Sequence, residues 1–268
     1  MSKAKVLIAL SIAMLLLAVS CVLAGEDYKA NFEKTLPLKA GDRFSLENVN
    51  GGVTIATWKE AKVEIKAVKT ARRHKEDLDK VEIQVNESAG EVAVKAVWPK
   101  FPQRADVSVE FTVMVPEGVE LTKFETVNGD VDVTGPYRRG EVGTTNGSVT
   151  VQNTAGDLKA GTTNGRVRVS HFDGHLEAET TNGSIELEDI TVKNGLAAET
   201  TNGSIHLVVV GTLDADLKAR TTNGSITVDF PITLQSLHQS KHRVEGTIGK
   251  GGVPISLETT NGSIRLTK

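Results

Sequence analysis

The sequence predicts an all-β chain built as a parallel β-solenoid, with two short strands per rung of 18 to 21 residues. Three observations predict it. An Asn-Gly phrase recurs between apolar-alternating runs, at Asn128-Gly129, Asn146-Gly147, Asn164-Gly165, Asn182-Gly183, Asn202-Gly203, Asn223-Gly224 and Asn261-Gly262, with a looser copy at Asn50-Gly51. From Asn128 on, the spacings are 18, 18, 18, 20, 21 and 38, a period that marks a repeat architecture. Each copy also carries the same letters at the same positions. An antiparallel meander or sandwich needs alternation and Asn-Gly turns but not identical columns, whereas stacked rungs place equivalent residues about 4.8 Å apart. That makes the meander the alternative fold.

Residues 1 to 25 hold Lys3 and Lys5, an apolar run from Val6 to Val19, and small residues up to Gly25. This is the layout of a secretory signal peptide, and the run is short for a membrane span. Two processing routes are open. Cleavage after Ala24 gives a signal peptide over 1–24. Alternatively, Ala18-Val19-Ser20-Cys21 is similar to a lipobox, although Ala18 stands where Leu is usual; the leader is then 1–20 and Cys21 is lipidated. Either route predicts an exported protein, in the periplasm, the outer envelope or outside the cell. Cys21 is the single cysteine, so no disulfide forms within the chain.

Residues 25–115 are expected to be a β-rich segment holding the first rung and a cap. Phe44, Leu46, Asn50-Gly51, Val53 and Ile55 repeat the unit, and Trp58 is expected over the open end of the core. Strands are predicted over Val63 to Val68, Val81 to Val85, Val92 to Trp98 and Val107 to Val115. Arg72 to Lys80 is the one helical stretch expected after the leader, and its charge all round predicts a solvated turn or two. A terminal unit of this kind covers strand edges that otherwise pair with other chains.

Residues 116–268 are the expected repeat body. Upstream of each Asn-Gly, inward positions read Leu158/Ala160/Thr162, Leu176/Ala178/Thr180, Leu196/Ala198/Thr200 and Leu217/Ala219/Thr221; downstream they read Val167/Val169, Ile185/Leu187 and Ile205/Leu207. Period-2 alternation of this kind predicts strands with one buried face. Glycine at the corner is expected to supply positive φ, with Asn tolerating it, and the stacked Asn side chains are expected to hydrogen-bond as a ladder. Second corners are read at Gly156, Gly174 and Gly195. The spacing of 38 is read as two periods with one degenerate copy, and 231–254 as a break. Gly246 to Gly252 is read as a turn, since it lacks the Lys-Ser/Thr ending of a phosphate loop.

The T-x-N-G-x-[IV]-x-[VIL] units, Asn50-Gly51 with Trp58 after it, the strand around Phe111 ending Val115-Pro116, and Gly-Thr-Ile-Gly-Lys-Gly before a final Asn-Gly resemble a bacterial β-strand-repeat family of unknown function whose members are described as candidate adhesins. The resemblance covers nearly everything after the leader. It implies a parallel β-solenoid in or outside the cell envelope, with no established enzymatic activity and no agreed ligand.

Composition narrows the function. The balance of 31 basic and 34 acidic residues shows no basic patch for nucleic acid. A membrane link is expected only through a lipid anchor, and no cofactor is expected. The Gly-Gly-x-Gly-x-Asp calcium repeat is absent, and the four-residue spacings His171/His175 and His238/His242 join one face only on a helix, so no metal site is expected. A glycan-active enzyme would need paired carboxylates. Glu179 and Glu199 fall in one column with Arg220 read next to them, but no aromatic platform adjoins. The file Thr145, Thr163, Thr181, Thr201, Thr222 and Thr260 offers ice one outward threonine per rung where two are usual. The expectation is therefore a non-enzymatic envelope module, adhesive or structural, contacting an envelope polymer, a surface glycan or a protein, with the Asn-Gly corners structurally indispensable.

Overall fold

The computed structural model describes residues 27–100, 104–234 and 242–268. The expected leader, Cys21 and His238 lie outside them. The described residues form twenty strands and one helical turn: β1 (Tyr28–Pro37), β2 (Arg43–Glu47), β3 (Val53–Trp58), β4 (Lys62–Ala71), α1 (Asp77–Lys80), β5 (Glu82–Ser88), β6 (Glu91–Val97), β7 (Val107–Pro116), β8 (Glu120–Asn128), β9 (Val131–Thr134), β10 (Arg139–Asn146), β11 (Val149–Asn164), β12 (Val167–Asn182), β13 (Ile185–Asn202), β14 (Ile205–Val209), β15 (Ala215–Asn223), β16 (Ile226–Val228), β17 (Ile232–Leu234), β18 (Arg243–Ile248), β19 (Val253–Asn261) and β20 (Ile264–Thr267).

Each rung is a flattened turn. An upstream strand meets a downstream strand at the Asn-Gly corner, and the second corner returns the chain to the first layer. In β11, β12 and β13 both halves and the second corner run as one continuous strand of 16 to 18 residues. Neighbouring rungs are parallel and in register, Leu158 opposite Leu176, Thr162 opposite Thr180 and Asn164 opposite Asn182. The molecule is thus a parallel β-solenoid, and the meander is excluded. Two layers result. The upstream layer runs β5-β6-β2-β8-β10-β11-β12-β13-β19-β15-β18-β17. The downstream layer runs β1-β4-β7-β3-β9-β11-β12-β13-β14-β20-β16.

The core is the thin space between these layers. Val167, Val169, Leu176, Ala178, Ile185 and Leu187 are fully buried, and burying a side chain of Leu or Ile size contributes about 1.5–3 kcal/mol. Toward the N-terminal end the layers are wedged by larger residues, with Phe44 and Phe124 on adjacent rungs at 6.4 Å between ring centroids.

Stacking order departs from chain order at both ends. β19–β20 inserts between β13–β14 and β15–β16, so the rung of Asn261 precedes that of Asn223 in space. The spacing of 38 therefore holds no degenerate copy. It contains the β17–β18 excursion, which pairs antiparallel with β15 and covers that layer's last strand. The N-terminal end mirrors this arrangement, with β2–β3 lying inside β6–β7 and the antiparallel β5 and β4 outside.

Two details of the cap differ from expectation. Trp58 lies half-buried at the layer's margin, its indole donating to the Lys62 carbonyl at 2.8 Å, because β7 and then β4 extend the layer beyond β3 and cover the end of the core. The charged stretch shrinks to α1, and it is anchored: Leu78 is buried, and Lys69 Nζ donates to the carbonyls of Leu78 and Val81 at 2.6 and 3.0 Å.

Candidate functional site

The corner comes first because it fixes the face beside it. Each Asn side chain donates Nδ2–H to the Oδ1 of the rung before it, Asn128 to Asn50, Asn146 to Asn128, Asn164 to Asn146 and Asn182 to Asn164, all at 2.8 Å. The file continues from Asn202 to Asn182, Asn261 to Asn202 and Asn223 to Asn261. The backbone runs the other way. Gly51, Gly129, Gly147, Gly165, Gly183, Gly203 and Gly262 each donate N–H to the Asn carbonyl of the next rung, at 2.8 to 3.0 Å.

Glycine is required here for more than torsion. Gly51 sits at φ 117° and Gly129, Gly147 and Gly165 at 156° to 159°, as expected, but Gly183, Gly203, Gly224 and Gly262 lie outside the left-handed region, and no ladder Asn has positive φ. A Cβ at Gly183 would instead stand 1.8 Å from the Gly165 carbonyl oxygen of the adjacent rung. Close stacking of backbones excludes every side chain. Among the described residues the left-handed non-glycine ones are Asn153, His171 and Asp189, one file at the second corner, where His171 Nε2 lies 3.1 Å from Asp189 Oδ2.

A second file, whose bonding sequence reading missed, lies just inside the corner. Thr126, Thr144, Thr162, Thr180, Thr200, Thr259 and Thr221 are buried, and each donates its hydroxyl to the carbonyl of the neighbouring rung's corner glycine at 2.8 to 3.0 Å. Asn48 takes the Thr position in the rung of Asn50, where its Nδ2 reaches the carbonyls of Gly51 and Val109 at 3.0 and 2.9 Å and ties on β7. The signal in the sequence is the doubled Thr-Thr before Asn, one hydroxyl inward and one outward.

Beside the corner, the outer face of the upstream layer holds a trough of about 780 Å³ reaching from β6 to β13. Seven strands at about 4.8 Å spacing make it roughly 30 Å long. Gly143 and Gly161 form its floor, Thr145, Thr163, Thr181 and Thr201 one wall, and Glu47, Lys95, Glu125, Glu141, Lys159, Glu179 and Glu199 supply charge. The floor exists because one outward column reads Glu125, Gly143, Gly161, Glu179, Glu199 across adjacent strands. Two glycines interrupt the glutamates.

The charges are cross-linked at both ends. Glu47 meets Lys95 at 3.0 Å and Lys123 at 3.4 Å, and Lys159 meets Glu177 and Glu179 at 3.7 and 3.6 Å. The Lys95 hydrogen bond holds the Glu47 carboxyl below the usual carboxylate range. Burial opposes the Lys123 charge, yet Glu125 and Glu47 raise its pKa above the ordinary value.

The expected carboxylate pair lies in this lining, but its neighbour is different. Inserted β19 places Glu258 beside Glu199, and Arg220 stands one strand further along. There Arg220 and Arg243 share Glu245 at 2.8 and 2.9 Å, and their hydrogen bonds, Arg243 first, hold its pKa down at about 2. The threonine file is likewise reordered to Thr201, Thr260, Thr222. On the opposite layer Arg168 pairs with Glu186, and Arg265 enters between His206 and Thr227. His175 Nε2 lies 3.6 Å from Glu177. The glycine turn at 249–252 is filled from within, Lys250 and Gly252 donating N–H to Asp214 and Asp216 carboxylates at 2.9 and 3.1 Å.

A family model described as Toastrack DUF4097 matches residues 35–267. The chain belongs to the Toastrack DUF4097 family. Its residues 35–267 take in every Asn-Gly corner and the whole trough, so both are features of this Toastrack domain. No curated protein matches the chain. Among solved structures, similar ones include a candidate cell-adhesion protein from Clostridium sporogenes at 13% identity and TM-score 0.38, covering 89% of this chain and 99% of that one. Another is a candidate adhesin from Bacteroides fragilis, at 12% and 0.38, covering 88% and 97%. A third is a candidate lipid-binding protein from Parabacteroides distasonis, at 11% and 0.41, covering 89% and 97%.

Proposed function

We propose that this chain is a non-enzymatic, exported envelope module that binds a linear surface glycan along the trough. The observation that carries the reading is the bared floor at Gly143 and Gly161. Glycine inside a strand destabilises by roughly 0.5–1 kcal/mol against alanine, yet Gly161 does not need it sterically and Gly143 is crowded far less than the corners are. A Cβ at Gly161 would meet only the Glu179 carbonyl oxygen, at 3.6 Å, an ordinary contact, and one at Gly143 would meet the Gly161 carbonyl oxygen at 3.2 Å. The missing side chains open a channel across parallel strands, walled by hydroxyls and carboxylates that hydrogen-bond to sugar hydroxyls. Repetition along the axis adds weak contacts in a line, which multivalency sums.

The test is binding of the purified chain to isolated envelope and to a panel of surface glycans. Saturable binding is expected for the native chain and loss of it for Gly161→Gln, which fills the floor; unchanged binding by the filled variant overturns the reading. Glycan cleavage abolished by Glu179→Gln with Glu199→Gln would replace it with an enzymatic one.

A further inference from the structure

We infer that Asn223 is a site of spontaneous backbone modification in the folded protein, conversion to aspartate and isoaspartate through a succinimide, while the other seven Asn-Gly pairs of the corner ladder are protected by the stack. In this reaction the glycine nitrogen, after losing its proton, attacks the asparagine Cγ. The new N–C bond closes a five-membered ring and ammonia leaves with the side-chain nitrogen. Water then opens the ring at either carbonyl, so the net change is amide plus water to acid plus ammonia, with no oxidant or cofactor.

The nucleophile is the glycine N–H, and the fold controls it. Seven of the eight corner glycines donate that N–H to the Asn carbonyl of the next rung. Gly224 is the exception. Among the described residues its rung is the last in space, β16 pairs with β20 alone, and no acceptor takes the Gly224 N–H. Asn223 itself is exposed and Gly224 partly so, so hydroxide and water reach both. At the other end Asn50 lacks a ladder partner for its amide, but the Gly51 N–H is held by Asn128 at 2.8 Å, which withholds the attacking atom.

The chain provides its own control. Thr-Thr-Asn-Gly-Ser-Ile occurs with identical letters around Asn182, Asn202, Asn223 and Asn261, so a difference in rate among these four comes from the fold and not from local sequence. Had the copies stacked in chain order, Asn261 would end the file and would be the labile one. Conversion also acts on the structure, since the Asn223 amide is the donor to Asn261 Oδ1 at 2.8 Å. A carboxylate there withdraws the donor and sets negative charge against that oxygen.

The experiment incubates the native full chain in mildly alkaline buffer over days, beside the same chain unfolded in urea. Peptide mapping then locates the mass gain of an amide-to-acid conversion, and isoaspartate is assayed directly. Asn223 is expected to convert in the folded sample well ahead of Asn182, Asn202 and Asn261, with all four converting alike in urea. Asn223→Gln should abolish the early isoaspartate signal and leave the urea pattern at the other three intact. Protection of Asn223 equal to that of the other three in the folded chain, or early conversion at Asn261 in its place, overturns the inference.

Discussion

At the scale of single residues, glycines in this chain do two opposite jobs, and mutation separates them. Gly183→Ala drives a Cβ to 1.8 Å from a backbone oxygen and forces two rungs apart, so it is expected to cost several kcal/mol in the manner of overpacking and to reduce yield of folded protein. Gly161→Ala meets no such obstacle and is expected to raise stability by about 0.5–1 kcal/mol. Thermal melts of the pair should shift in opposite directions; a shift of the same sign would refute the distinction. The inner hydroxyls are equally specific. Thr180→Val keeps shape and β-branching but removes the donor to the part-buried Gly165 carbonyl, so a loss of about 0.5–1.5 kcal/mol is expected, with Thr180→Ser retaining part of it. We propose on the same footing that replacing Asn182 and Asn202 by Ala lowers the melting temperature more than replacing Ser184 and Ser204, because each Asn both donates and accepts in the ladder. Equal shifts would remove the ladder's role in stability.

At the scale of elements, the inserted final rung makes a prediction that ordered stacking does not. Among the described residues β15 touches the rest of its layer through β19 and β18, and β16 through β20 alone. Removing 253–268 should therefore release residues 215–248 as well, seen as proteolysis beginning after Val210 rather than loss of a single rung. Retained protection of 215–248 in the truncated chain would contradict this topology. The same end carries one acid-sensitive contact. Glu245 has its pKa lowered from 4.5 to about 2 by Arg243 and Arg220, so its contribution is present above the unfolded value and is lost as pH falls through the folded one. Stability at this end is expected to fall between about pH 4.5 and 2, and Glu245→Gln should flatten that part of the melting-temperature profile. An unchanged profile would assign the acid response to other carboxylates.

At the scale of the whole molecule, stability is a sum of rung terms and contacts between neighbours, which is why the same three bonds, Asn to Asn, Gly to Asn and Thr to Gly, recur along the stack. The trough is a property of this scale as well. No rung contains it, since it needs glutamates on several strands and two successive glycines between them. Its lysines sit beside carboxylates, and exposed pairs of this kind contribute only about 0–1 kcal/mol each, so they shape the lining more than they stabilise the fold.

The repeated letters by themselves determined the inward columns and favoured the parallel register and the Asn file over a meander, because identical columns bury Leu176, Ala178 and Thr180 against Leu158, Ala160 and Thr162 when rungs of one length stack in one direction. Thr-Thr even held the inner file, though one letter does not reveal which carbonyl a hydroxyl reaches. What only the tertiary structure decided is adjacency across long separations: Glu258 beside Glu199, Asn261 beside Asn202, and β7 lying outside β3. Identical units stack equally well in any order, so sequence similarity between copies carries no information about which copy is next. The excursions β4–β5 and β17–β18 choose the order, because pairing an antiparallel strand on the last rung and threading the next segment inside covers an edge that simple succession would leave bare.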